Sequence, residues 1–159
     1  MKVNMGCGDR ILDGYVNVDK LKLPGVDMVM DIEKGIKLRD GSVDEMLLFN
    51  LLEHTREPLK VLEEIHRVLK VGGSVRIMVP HCRSSEAFTD MTHKSFFTKD
   101  SFNCLVPGHR FNYYTKARFR IPKNKVVYGR LPRKLPFKFI LGRFLNNVAA
   151  YIDITLVKV

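Results

Sequence analysis

Apolar and polar positions alternate in short runs over the first half of the chain. Val3 and Met5 flank Asn4, Val16 and Val18 flank Asn17, and Val26, Met28 and Met30 are spaced by two. Period-two spacing predicts strands at 2–5, 15–18 and 26–30. Apolar runs at 44–49 and 74–79, bounded by Asp, Gly or Pro, read as two more. Between these two the period lengthens. Leu59, Leu62, Ile65 and Leu69 recur every three or four residues and predict one apolar helix face over 58–70. Pro58 suits a first helical turn, where a missing N–H costs little. Glu63 and Arg67 stand one turn apart on the outer face, and Gly72-Gly73 offer a left-handed end. Strands alternating with such a helix predict a parallel α/β sheet.

After Pro80 the texture changes. The pattern predicts a polar loop at 81–90, a short helix near 98–104, and strands at 111–120 and 125–128. A proline-punctuated linker at 131–136, a short helix at 137–147 and a last strand at 151–159 complete the chain. No repeat or low-complexity segment is evident, and the chain reads as one domain over 1–159.

Chemistry enters at the strand ends. Gly6-Cys7-Gly8 follows the first strand, Asp19 closes the second and Asp31 the third. Glycines let backbone N–H groups approach a polar ligand, and a carboxylate at a strand's C-terminal end accepts bonds from ribose hydroxyls. The layout suits a nucleoside-containing ligand.

The stretch from Leu51-Leu52-Glu53-His54 through Glu63-Glu64-Ile65-His66-Arg67-Val68-Leu69-Lys70-Val71-Gly72-Gly73 resembles a known signature, with Val71 in place of the usual Pro. So does Asp90-Met91-Thr92-His93-Lys94-Ser95-Phe96-Phe97-Thr98. Both resemble segments of the class I S-adenosylmethionine (SAM)-dependent methyltransferases, closest to the small "methyltransferase type 11" group, and the resemblance covers residues 1 to about 103. It implies a Rossmann-like, mostly parallel sheet with a C-terminal antiparallel hairpin, and SAM as cofactor. It implies cofactor contacts at Gly6, Cys7, Gly8, Asp19, Asp31, Ile32, Asn50 and Leu51, with Asp31 and Ile32 at the adenine edge. One departure is evident: ten residues separate Gly8 from Asp19, so the first helix is shortened or missing. A helix N-terminus would lend positive charge to the methionine carboxylate; Arg10 is the residue at hand to replace it.

Charge divides the chain. Residues 1–80 carry 12 Lys and Arg against 13 Asp and Glu, whereas residues 81–159 carry 15 against 4. The first half then reads as the cofactor side and the second as a basic substrate side. Bases such as Lys116, Arg118, Arg120, Lys123, Lys125, Arg130, Arg133, Lys134, Lys138 and Arg143 lie among aromatic residues, with no acid between Ser101 and Ile152. RNA, an anionic membrane surface, an anionic small substrate and a solvated face over the core all satisfy that pattern. No apolar run approaches the ~18 residues that span a bilayer, and no N-terminal signal-peptide pattern is visible. Three cysteines without paired spacing point to reduced thiols and a cytoplasmic protein.

Methyl transfer from SAM asks a protein mainly to align the acceptor with the methyl group and exclude water, and oxygen or nitrogen acceptors also need a base. His81, after the fifth strand, and His93, in the Asp-x-Thr-His segment, are the candidates. His54 and His66, in or beside the main helix, read as structural. The spacing of His81, Cys82, His93, Cys104 and His109 matches no zinc pattern, so no metal site is expected. The expected function is SAM-dependent methyl transfer to a small-molecule or RNA acceptor. The alternative is a non-catalytic protein of the same fold that binds RNA or an anionic membrane through its basic half.

Overall fold

The computed structural model describes residues 1–129, 137, 140 and 145–159. The strands are β1 (Lys2–Met5), β2 (Val16–Asp19), β3 (Met28–Val29), β4 (Val43–Phe49), β5 (Leu69–Pro80), β6 (Phe119–Tyr128) and β7 (Ala149–Lys158). They form one sheet in the order β3-β2-β1-β4-β5-β7-β6. The first five pair in parallel; β7 runs antiparallel to both β5 and β6. This is the expected mostly parallel sheet with an antiparallel C-terminal hairpin.

Helix α1 (Pro58–Val68) connects β4 to β5, and its buried face is Val61, Leu62, Ile65 and Val68. These side chains share one core with Val3, Met5, Met46, Leu48, Ile77 and Ile154 of the sheet. Each large aliphatic chain so buried contributes about 1.5–3 kcal/mol. The outer face differs from the expected Glu63–Arg67 pair. Arg67 bonds Glu64, at 2.7 Å, and Asp40, while Glu63 accepts from Thr115 Oγ1 at 2.7 Å.

The helix ends two residues early, and Gly72-Gly73 do not cap it. Leu69 is already extended and pairs with Val43, while Ser74 pairs with Glu45. Residues 70–73 therefore bulge opposite a single residue of β4. Gly72 takes a φ of 79° there. A Cβ on Gly73 would stand 2.9 Å from the Lys70 carbonyl oxygen and 3.0 Å from that of Val43. The glycines shape a bulge because the chain passes directly from helix into strand.

Other boundaries move for local reasons. β3 shrinks to Met28–Val29, although backbone bonds from Asp27 to Asn17 and from Met30 to Asp19 continue its alignment. The strand expected at 111–120 starts only at Phe119, after a 3-10 turn at Asn112–Tyr114, and runs on through 125–128 as one strand. Its register shifts between Arg120 and Lys123, around Pro122, which has no N–H to give to the ladder. The 98–104 helix is only a 3-10 turn, Asn103–Leu105, and the 81–90 loop contains a short helix, α2 (Glu86–Thr89). The 131–136 linker and most of the 137–147 helix lie outside the described residues, as do Arg130, Arg133, Lys134, Lys138 and Arg143.

Among the described residues no helix lies between β1 and β2. Two buried asparagines hold the connecting loop in its place. Asn4 Nδ2 donates to the Arg10 carbonyl at 2.8 Å and to Asn17 Oδ1 at 3.0 Å. Asn17 Oδ1 also accepts the Leu12 N–H at 3.0 Å, and its Nδ2 donates to the Leu12 and Tyr15 carbonyls. Side-chain amides thus satisfy backbone groups that a helix would have paired internally.

Candidate active site

The carboxyl ends of β1, β2 and β4 open into a cleft of about 540 Å³. Gly6, at a φ of 68°, and Cys7 donate their N–H groups to the Val18 carbonyl at 2.8 and 3.0 Å, which pins the glycine turn onto β2. Gly8 then donates to Asp19 Oδ2 at 2.9 Å, while Asp19 Oδ1 accepts the Leu21 N–H at 2.9 Å. Gly6 allows a close approach: a Cβ there would lie 2.7 Å from Leu51 Cδ2. Asn50 turns the chain after β4 with a φ of 52°. Asp31 caps the 3-10 turn Ile32–Lys34 through Oδ1 and the Glu33 N–H, at 3.1 Å.

Seven of the eight expected cofactor residues line this one cleft: Gly6, Gly8, Asp19, Asp31, Ile32, Asn50 and Leu51. Cys7 does not; its side chain is buried, and burial, with the Asp19 charge, pushes its thiol up. Arg10 is exposed and stacks over the Phe49 ring at 4.9 Å, away from the lining. Sequence reasoning missed Met5, Met30, Lys20 and Lys94, which also line the cleft. The methionines read only as strand positions, and the lysines carried no motif.

A second pocket of about 560 Å³ adjoins the first, and the two share Asn50, His54, Met91 and Thr92. Glu53, Glu86, Thr89, Asp90, His93 and Tyr151 add to its polar wall. Glu53 is 1% exposed, and neither carboxylate oxygen has a hydrogen-bond partner. Burial pushes its carboxyl up to about 7. The His54 and His93 rings meet edge to face at 4.7 Å, and burial lowers His54. His54, which reads as structural from sequence, therefore borders both pockets.

The two expected catalytic histidines differ in placement. His81 lines neither pocket, and its Nδ1 accepts the Arg83 N–H at 3.1 Å, so its basic lone pair is already engaged. Burial first, then the Arg83 charge, lowers it. His93 Nδ1 lies 2.9 Å from the Ala87 carbonyl, which can only accept, so Nδ1 carries the hydrogen and Nε2 keeps its lone pair. His66 packs against Phe119 at 5.1 Å, as a structural residue would. On β6, Lys123 pairs with Asp153 from the neighbouring strand, so the basic half is not free of acids in space.

A family profile described as "Methyltransferase domain" matches residues 11–77. A SAM-dependent methyltransferase from Archaeoglobus fulgidus superposes with a TM-score of 0.68 at 17% identity, over 98% of this chain and 85% of that one. This is the class I SAM-dependent methyltransferase fold. The resemblance read from the sequence is borne out, and the cofactor that goes with the fold and profile is SAM. Similar in the same way is 1,6-didemethyltoxoflavin-N1-methyltransferase from Burkholderia thailandensis, solved with S-adenosylhomocysteine (TM-score 0.63, 15% identity, 99% of this chain, 70% of that one). The [4+2]-cyclase SpnF superposes as well (TM-score 0.64, 14% identity, 99% and 73%). Comparison with curated protein sequences gives no match.

The cleft of this methyltransferase fold suits the cofactor chemically. Its volume is in the range of drug-sized ligand pockets. It offers a carboxylate at Asp19 and apolar walls at Met5, Met30, Ile32 and Leu51. At Gly8 an added Cβ would have no protein atom within 4 Å, so the turn borders open space. Among the described residues no helix is long and apolar enough to cross a membrane.

Proposed function

We propose that this protein transfers a methyl group from SAM to a small-molecule acceptor held in the second pocket. One observation carries the reading: the glycine turn, Asp19, Asp31 and Leu51 converge on one cleft, which opens through Asn50 and His54 into a polar pocket. In the cleft, Asp19 would accept from the ribose hydroxyls, Asp31 and Ile32 would border the adenine, and Met5, Met30 and Leu51 would exclude water. Lys20, a lining cation, would supply the positive charge that a first-helix N-terminus provides elsewhere, since Lys94 is paired with Glu33 at 3.5 Å. When bound, SAM supplies a methyl group activated by positive sulfur. The chain's own part is to hold the acceptor in line and to manage its proton.

That proton handling falls to the Glu53–His54–His93 side of the pocket, where His93 keeps an uncommitted lone pair and His81 does not. The pocket volume of about 560 Å³ favours a small acceptor. All three cysteines are free thiols, which supports a cytoplasmic setting. Calorimetric titration with S-adenosylhomocysteine tests the cofactor site; no binding at millimolar ligand in a folded sample would remove the reading. Label transfer from methyl-labelled SAM to extract metabolites, but not to extract RNA, would identify the acceptor class.

A further inference from the structure

We propose that Glu53, His54 and His93 bind one divalent transition-metal ion on the acceptor side of the site. One donor atom from each residue lies within 4.8 Å of the other two. Metal–ligand bonds of about 2.0–2.2 Å set donors ~3–4 Å apart, so small side-chain adjustments would close the set.

Glu53 supplies the strongest reason. Its side chain is 1% exposed and lines the pocket, and both carboxylate oxygens lack a hydrogen-bond partner. Buried polar atoms are almost always paired, and a buried carboxylate without a partner is costly. A cation at this position would satisfy both oxygens.

The two imidazoles are prepared for the same ion. His93 gives its Nδ1 hydrogen to the Ala87 carbonyl at 2.9 Å, which leaves Nε2 as a ligand. The Thr92 hydroxyl donates to Asp90 Oδ1 at 2.7 Å, so it must accept from His54 Nδ1 at 2.9 Å. His54 Nε2 therefore keeps its lone pair too. Ligating histidines usually have their second nitrogen fixed in this way by a carbonyl or a polar chain.

Two neutral imidazoles and one carboxylate favour zinc-class ions over magnesium or calcium, which prefer oxygen donors. Three protein ligands leave coordination positions open, and all three residues line the acceptor pocket. With its Nε2 lone pair on the ion His93 would not act as a base; an acceptor oxygen in an open position would instead be polarised and acidified by the ion. This role rests on the reading of that pocket as the acceptor side.

The full chain, stripped with a chelator, would be titrated calorimetrically with Zn²⁺ and Co²⁺. We expect one ion per chain, visible Co²⁺ absorption and a raised melting temperature. Glu53→Gln, His54→Ala and His93→Ala should each weaken binding at least tenfold, and His109→Ala should not. Should Glu53→Gln fail to fold, the two histidine variants carry the test. No ion bound to the folded wild type at tenfold excess, or binding that the site variants retain, overturns the proposal. S-adenosylhomocysteine titration of the same stripped sample separates the two readings. Cofactor binding without ion binding overturns the metal site alone. Ion binding without cofactor binding supports the metal site and removes methyl transfer.

Discussion

Gly8 gives its backbone N–H to Asp19 Oδ2 at 2.9 Å, so the turn after the first strand is tied to the acid that ends the second. The bond holds the carboxylate at the cleft wall while leaving it further acceptor capacity. Asp19 therefore serves the turn and, in the function proposed above, would also serve a ligand.

For that reason Asp19→Asn tests the site better than Asp19→Ala. The amide oxygen can keep one turn bond, while the charged acceptor is lost. Affinity for S-adenosylhomocysteine should fall about tenfold to a hundredfold, since hydrogen bonds to charged groups contribute roughly 1.5–3 kcal/mol. Calorimetry beside circular dichroism checks it; an unchanged Kd in a folded variant would place the ligand elsewhere.

Gly6→Ala should damage the same cleft from the opposite wall. The new Cβ would meet Leu51 Cδ2 at 2.7 Å, at a φ of 68° that costs a non-glycine residue about 1–2 kcal/mol. The expected result is a lower melting temperature and weaker S-adenosylhomocysteine binding. A companion Leu51→Ala change should relieve the contact but not the backbone cost, so binding should recover only in part.

Asn17→Ala would release the loop that stands in place of a first helix. It removes the contacts to Leu12, Tyr15 and Asn4 and leaves buried groups unpaired. Chemical denaturation should show a loss of about 2–3 kcal/mol. A loss below about 0.5 kcal/mol would mean that the loop is held by other contacts.

Asp153 joins three strands by accepting from Arg76 at 2.9 Å through both oxygens and from Lys123. Burial opposes its ionisation, but the bonds from Arg76 and Lys123 outweigh burial and hold the carboxyl below its usual value. An unfolded Asp titrates at about 3.9. The stabilisation is thus fully present above that pH and is lost as pH falls through the lower folded value. Asp153→Asn should cost about 1.5–3 kcal/mol at neutral pH, and its gap from wild type should close in acid. Melting curves from about pH 7 to pH 3 would show this; a constant gap would deny the charged contribution.

Legible in the chain were the strands up to β5, the main helix, the missing first helix and, partly through the family resemblance, seven residues of the cleft, while the C-terminal hairpin followed from that resemblance. The strands, the helix and the glycine turn with Asp19 rest on local physics: alternation, helical period, and glycines and acids at strand ends. Leu59 to Leu69 announced a helix however the chain packed elsewhere. Packing set where that helix gives way to strand, because the bulge at Gly72-Gly73 follows from β4 lying beside β5. It also decided that Asn4 and Asn17 replace a helix, that Lys123 finds Asp153, and that His93 rather than His81 lines the second pocket. The grouping of Glu53, His54 and His93 spans about forty positions. No period or spacing links them, because their proximity is produced by the Asp90–Lys94 loop folding back across the end of β4, where the Lys94 N–H meets the Glu53 carbonyl at 2.8 Å.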